Sequence, residues 1–465
     1  MPGRKNDWNI VVKRSNETEK GRNLPRSGGI ADVLRNDLCV GCGACAAIEP
    51  GLEMQLDGMG KLVPSRIPGA EADHVCPFSD HAPDEDKIAC EIGLGRLPKD
   101  DRLGHVDRTW AGHVVEGDFR EKASSGGLAT WLLVELLNKT RATSVVHVHA
   151  DPKSSDRLFD FAVSHDADEV RANAKTRYYP VTFDDAIAEV RRAKKPFLFV
   201  GVPCHVKALN ALCLLDSELA DLLVARIAIF CGHLKTVNFA NSLAMQAGIS
   251  PKMLRSIDFR HKIAGRRASD YGISVESTDG SHVVRPMRDL VGQDWGKGYF
   301  RLKACNFCDD VVGETADISL GDAWLPQYVN DSGGTSIIVS RRQEYTAILE
   351  AGASAGRLML DPISNDTVVT SQAAGFRDRR DGLRYRLWLA KRRGQWAPRK
   401  RVRPGYDHLS SARRIQLRLR GAISRRSHGA WRFAQRTWPR IFVLEGKVLS
   451  AIHLAAIKAG RRKKR

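Results

Sequence analysis

The chain has no run of about 18 apolar residues, and its polar first 26 residues hold no apolar core segment. These absences exclude a spanning helix and a secretory leader, so a cytoplasmic protein is expected. The G-x-G-x-x-G fingerprint and the P-loop lysine motif are also missing, which leaves nicotinamide and ATP sites without direct support. There is no zinc-finger, RNA-recognition or KH signature and no internal repeat, so nucleic acid is not an expected partner. Acidic residues are in deficit, 54 against 73 Lys and Arg, but the basic excess gathers beyond about residue 376 and the rest is near balance. A basic tail of this kind meets lipid headgroups, RNA or an acidic partner alike, so charge alone does not choose among them.

What the chain does have is cysteine, 10 in 465 residues. A reducing compartment disfavours disulfides, which makes metal ligation the natural use. Cys39, Cys42 and Cys45 stand at C-x2-C-x2-C spacing with glycines between them, as iron-sulfur proteins hold three corners of a cubane cluster. The fourth cysteine of a bacterial ferredoxin run is absent, since Glu49-Pro50 stands in its place, and Cys76-Pro77 downstream is the available substitute. We read Cys39, Cys42, Cys45 and Cys76 as one 4Fe-4S site, against the alternatives of a zinc site or a disulfide knot.

The length suits two or three domains. Residues 1–30 read as a flexible arm. Residues 31–95 form a small cluster-binding domain, with short strands at Glu53–Leu56 and Lys61–Pro64 around a glycine turn. From about residue 104, strands alternate with helices, the sign of a layered α/β body. A helix is expected over Leu128–Leu137 and another over Asp184–Ala193. Strands are expected at Ser144–His149, Pro196–Val200, Val224–Phe230 and Thr335–Val339, with antiparallel segments over 255–290 turning at Asp279-Gly280. The second and third strands are near-continuous apolar runs of the buried parallel type, and ligands sit at the carboxyl ends of such strands. There stand Cys204 and Cys231, which together with the hook Cys305-Asn306-Phe307-Cys308 make a second candidate 4Fe-4S site. His205 and His233 are neighbours of these ligands, while Cys213 and Cys90 read as buried small hydrophobes.

Ser124-Ser125-Gly126-Gly127, directly before the Leu128 helix, has the make-up of a phosphate-binding loop: glycines for close approach, serines as caps and free amides at a helix N-terminus. The basic extension over 376–465 ends in a helix, Ile441–Ile457, with Ile441, Leu444, Val448, Ile452 and Ala455 on one face. That helix either packs on the body or lies on an anionic membrane at its cytoplasmic face, aided by Trp431 and Trp438.

These motifs occur in a definite order: the cysteine run with Cys76-Pro77, Ser124 to Gly127, Thr176-Arg177-Tyr178, Gly201-Val202-Pro203-Cys204, Phe230-Cys231-Gly232, Cys305 with Cys308, and Gly321-Asp322-Ala323-Trp324. As a set, over roughly residues 35–350, they resemble the coenzyme F₄₂₀ hydrogenase/dehydrogenase β-subunit family, which includes ferredoxin-dependent pigment reductases. The resemblance implies a flavin-binding body split into 96–195 and 196–355, the second half carrying the second cluster. It implies FAD against Ser124, Ser125, Gly126 and Gly127, with Arg177 and Tyr178 as further contacts, and two 4Fe-4S clusters on the eight cysteines. The implied activity is an oxidoreductase that passes electrons between a ferredoxin-like carrier and FAD, which exchanges a hydride with an organic substrate or the deazaflavin coenzyme F₄₂₀. Acid-base residues are not fixed by the motifs, His205 and Asp322 being the candidates. Two alternatives stand beside this: an electron-transfer subunit of a larger complex without its own substrate, and a membrane- or nucleic-acid-binding protein with structural clusters. A homo-oligomer is a further expectation. The family often has Gln where His205 stands, and the tail lies outside the resemblance.

Overall fold

The structure is a computed structural model and describes residues 27–150, 157–438 and 440–462. The arm expected over 1–30 lies outside these residues except for its last four, and those four are fixed. The Gly28 amide donates to Asp32 Oδ2 at 2.9 Å, and the Ile30 amide donates to Asp73 Oδ1 at 2.6 Å. Buried Ile30 then opens a helix over Ile30–Arg35, so residues 27–30 belong to the cysteine-bearing N-terminal unit.

The body is built on one eight-stranded sheet. Its strands are β1 (Arg108–Val114), β2 (Ser144–Ala150), β3 (Phe159–Ser164), β4 (Phe197–Gly201), β5 (Leu223–Ile229), β6 (Ile318–Asp322), β7 (Ser336–Ser340) and β8 (Leu358–Pro362), in the spatial order β8-β1-β7-β6-β5-β4-β2-β3. Strands β2, β4, β5 and β6 run parallel, and the outer pairings are antiparallel. Successive side chains of β4 serve opposite faces. Phe197 and Phe199 enter one core with Phe161 and Val206, whereas Leu198 enters the other with Trp131 and Ile227. That two-sided burial is why the strand reads as an unbroken apolar run. The two expected halves interleave within this sheet, since β1 from the first lies between β7 and β8 from beyond it.

Because β4, β5 and β6 are parallel, their carboxyl ends share one edge. Cys204 follows β4 in the first turn of the helix α1 (Pro203–Leu215), Cys231 follows β5, and Asp322 closes β6. Beside this edge stands a three-stranded antiparallel sheet, Leu254–His261, Gly272–Ser277 and His282–Pro286, turning at Asp279-Gly280 as expected.

The C-terminal extension forms the helices α2 (Leu383–Arg392), α3 (Ser411–Arg436) and α4 (Arg440–Arg462). It is part of the core rather than a tail. Ile423, Trp431, Ala434 and Phe442 join the same buried cluster as Phe239, Tyr299 and Phe300, with Phe442 stacked on Phe300 at 5.4 Å. One sequence expectation is corrected here, and of the faces that the last helix offers the structure shows which one packs on the body. Trp431 is buried and does not face a membrane. The stripe of Leu444, Val448 and Ile452 points outward, while Phe442 and Gly446 face the body. Helical periodicity allows either stripe inward. The choice falls to the one with the larger ring and with a glycine, which brings the helix so close to Val291 that a Cβ would strike it. Among the described residues no helix is long and apolar enough to cross a membrane.

Candidate functional site

The first cysteine run turns through Gly41 and Gly43, both at positive φ (74° and 88°). A Cβ at Gly41 would stand 2.8 Å from Leu62 Cβ, and one at Gly43 would strike the Thr182 hydroxyl, so glycine is required at both. Cys76 arrives from a short turn over Ala70–His74. Cys39, Cys42, Cys45 and Cys76 line a single cavity that Leu38, Pro64 and Phe78 close with apolar surface. Burial pushes the Cys39 thiol up to about 12, with the Cys76 sulfur adding to it, and pushes Cys76 up to about 11. Four thiols buried around a void are costly to ionise alone and suited to a group that brings its own positive iron core. Among the described residues no three His, Cys, Asp or Glu side chains converge on a single-ion position. In a cubane each thiolate binds its own iron, so donors spread around a void fit that group.

The second set comes together from three loops. Cys204 has Cys231, Cys308 and Cys305 as its electrostatic neighbours, followed by Cys42 of the first run, so the two sets adjoin. Cys305 Sγ accepts from the Leu234 amide at 3.2 Å, and the Cys231 amide donates to Val311 O at 3.1 Å. Burial drives the Cys231 thiol up to about 12. His205 is buried among Phe161 and Phe183, and burial pulls it down to about 4. The His233 ring lies 4.4 Å from that of Trp295, and burial together with nearby Lys235 holds it well below the usual range. Both imidazoles are therefore neutral, and the Nε2 of each lacks a hydrogen-bond partner. Cys213 is buried as expected, but Cys90 is exposed: its helix turns Glu85, Ile88 and Ala89 inward and leaves the thiol outside.

The Ser-Ser-Gly-Gly loop lies at a second cavity, lined by Ser124, Ser125, Arg260, Lys262, Asp322 and Trp324 among others. Its local geometry differs from the expected cap. Gly127 itself occupies the N-cap of the helix over Leu128–Lys139, with no side-chain cap bond. Ser124 Oγ accepts from the Thr176 amide at 2.9 Å, Ser125 Oγ donates to Thr335 O at 3.1 Å, and the Gly126 amide donates to Ser336 Oγ at 3.2 Å. The serines and Gly126 thus fasten the loop to β7 and the 176 segment. Gly126 and Gly127 serve close packing and do not line the cavity.

Arg260, which no motif signalled, organises this cavity. It is 4% exposed, and its guanidinium grips both carboxylate oxygens of Asp322 at 2.9 and 3.1 Å. It also donates to Ser124 O at 3.3 Å and to the Tyr178 hydroxyl at 3.5 Å, and it stacks over Tyr271. Burial pushes the Tyr178 phenol up, so it stays protonated. Arg177 stands over the Phe159 ring at 4.9 Å instead of lining the cavity. Lys262 donates to Ser125 O at 3.0 Å, and burial with neighbouring Lys175 pulls it down to about 8. With Arg267 these cations give the cavity a basic lining suited to an anionic ligand. Asp322 lines it too, but both its oxygens are committed to Arg260, and His205 does not line it. Tyr178 does not line the cavity but lies behind Arg260; its ring reaches Trp295 at 4.7 Å and Trp295 reaches His233, so aromatic contacts run from Arg260 toward the second cysteine set.

Two family models match the chain, both describing the beta subunit of coenzyme F₄₂₀ hydrogenase/dehydrogenase. The model of its N-terminal part covers residues 109–188, and the model of its C-terminal part covers residues 194–366. The chain belongs to this family. The coenzyme F₄₂₀ hydrogenase/dehydrogenase β-subunit family is one of oxidoreductases, and the matched stretch holds the whole eight-stranded sheet except the first residue of β1, together with the second cysteine set and the basic cavity. The first cysteine set and the extension lie outside it. No curated protein matches. A chain from the F₄₂₀-reducing nickel-iron hydrogenase complex of Methanosarcina barkeri is similar at 18% identity and a TM-score of 0.45, over 61% of this chain and 93% of that one, a likeness too distant to decide any chemistry.

Proposed function

We propose that this β-subunit family member is an FAD- and iron-sulfur-dependent oxidoreductase that passes electrons between a ferredoxin-like one-electron carrier and an organic substrate or the deazaflavin coenzyme F₄₂₀. The observation that carries the reading is the gathering of eight of the ten cysteines into two adjoining sets, next to a basic cavity walled by the Ser-Ser-Gly-Gly loop. Bound clusters supply single-electron relay, and a bound flavin couples it to hydride chemistry. Cys39, Cys42, Cys45 and Cys76 would hold the first cluster and Cys204, Cys231, Cys305 and Cys308 the second. Ser124, Arg260 and Lys262 would receive the anionic part of the flavin, Asp322 keeping Arg260 aimed. Tyr178 and Trp295 would bridge Arg260 and the second set with aromatic contacts. Chain purified without oxygen is expected to carry iron, sulfide and FAD. A colourless protein lacking all three would sink the reading. An isolated chain that holds all three yet turns over no substrate with a chemical reductant would favour the partner-dependent electron-transfer subunit.

A second reading concerns location. Leu444, Val448, Ile452 and Leu454 are exposed on α4, with Trp438 51% exposed at its start. An outward apolar stripe on a basic helix suits an anionic lipid surface. The full chain is expected to co-sediment with phosphatidylserine vesicles, and a triple Leu444→Glu, Val448→Glu, Ile452→Glu variant, which spares Phe442, is expected to stay in solution. Equal partitioning of the two would discard this reading.

A further inference from the structure

The two cysteine sets sit in fields of opposite sign. Around the first, the charged neighbours are chiefly acids: Asp57 beside Cys39, Asp184 beside Cys45, and Asp73 beside Cys76, where Lys207 opposes it. Around the second they are chiefly cations, and these come largely from beyond the family domains. His233, two residues from Cys231, is surrounded by Lys235, Arg301, Arg420 and Arg379. The acids near Cys308 are matched, Asp309 by Lys400 at 3.4 Å and Arg401 at 3.5 Å, and Asp310 by the amides of Val312, Gly313 and Glu314.

Arg379 is the cation that acts on both Cys231 and Cys308. It lies in a wide helical turn over Asp378–Gly382, is 2% exposed, and donates through Nη2 to Gly232 O at 3.1 Å. Its foremost electrostatic neighbours are the sulfurs of Cys308, Cys231 and Cys305, with Asp378 after them, and its buried Nε has no hydrogen-bond partner. The preceding residue, Asp378, is shared by Arg301 (3.0 Å), Arg386 (2.9 Å) and Arg420 (2.9 Å), so one carboxylate answers three guanidiniums by ion pair and reaches Arg379 only as a weaker neighbour than the sulfurs. Arg301 also donates to Cys305 O, and Arg386 Nε donates to Asn306 O at 2.6 Å, which clamps this turn onto the Cys305–Cys308 hook. A buried cationic excess is costly unless an anion sits within it. A cluster on four thiolates is such an anion in either redox state, and a positive charge beside it stabilises the reduced, more negative form.

We propose that Arg379, supplied by the segment beyond the family domains, is the counter-charge of the second cluster and sets its potential above that of the first. This rests on the two-cluster reading above. The test is an anaerobic redox titration of the full chain followed by electron paramagnetic resonance, with iron and sulfide counted in the same samples, for the native chain, Arg379→Gln and Arg379→Lys. The native chain is expected to show two separated midpoints. In Arg379→Gln the upper one moves to more negative potential while the lower stays, and in Arg379→Lys most of the shift is recovered. An unmoved upper midpoint in an Arg379→Gln chain with native iron content overturns the proposal. Should that variant lose its clusters, Arg420→Gln removes a more distant member of the same excess; a smaller fall of the upper midpoint supports the proposal, and no fall overturns it. A native chain without any cluster would overturn the underlying reading of function, and this proposal with it.

Discussion

Cys76→Ser is expected to strip the first cluster from the chain while the second cluster and the flavin stay in place. The cavity of Cys39, Cys42 and Cys45 is closed on its fourth side by Cys76, whose carbonyl accepts from the Ser79 amide at 3.0 Å. Burial makes that thiol hard to ionise unless iron replaces the proton, and a serine hydroxyl, a far weaker acid, will not do so. The substitution is nearly isosteric, so the fold should hold, with an unchanged far-ultraviolet circular dichroism spectrum as the control. Iron and sulfide should fall to the share of one cluster, with one of two paramagnetic signals lost. Undiminished iron at the first site would mean that the fourth ligand is another residue.

The second large effect is expected at Asp322. Asp322→Asn leaves the guanidinium of Arg260 buried without its counter-charge, and breaking such a pair from one side costs about 3–5 kcal/mol. Because Arg260 also holds Ser124 O and the Tyr178 hydroxyl, the variant should bind less FAD as well. An anion in the cavity would restore part of the missing charge, so the loss of melting temperature should be larger for flavin-free chain than for loaded chain. Thermal unfolding of both forms, with flavin counted spectroscopically, checks this. A variant within about 1 kcal/mol of native in both forms, with full flavin, would show that the Arg260–Asp322 pair is dispensable.

Local pattern carried some of this architecture in the sequence and could not carry the rest. The parallel strands β4 and β5 are legible because burial on both faces writes an unbroken apolar run. Strand β1, separated from β5 by β7 and β6, carries Arg108, Gly112 and His113 and shows no such run. Its Gly112 is demanded by the backbone of Met359, which arrives nearly 250 residues later. Cysteine spacing marks the Cys39–Cys45 run and the Cys305–Cys308 hook as candidate ligands, since C-x2-C is a local device, whereas Cys204 and Cys231 join them only through the shared edge of parallel strands. The basic side of the cavity was invisible, because Arg260 and Lys262 belong to no motif, although Ser124, Ser125 and Asp322 on its other walls do. The serines read as caps for a related reason: only the distant Ser336 and Thr335 show that the loop is fastened sideways. On α4, periodicity identifies the helix but offers two apolar stripes, and only the aromatic cluster around Phe300 decides between them.

The seam between the body and its extension bears on how this chain could have been assembled or could be recombined. Tyr299 donates to Gly446 O at 3.1 Å, the Phe300 amide donates to Ser427 Oγ at 2.9 Å, Ser424 Oγ donates to Arg301 O at 3.1 Å, and Arg301 meets Asp378. Four contacts within three consecutive residues make that short loop and the extension a single inheritable unit. A segment exchange with another β-subunit would have to carry residues 291–308 along with residues 373–446, and would bring a ligand hook of the second cysteine set with it.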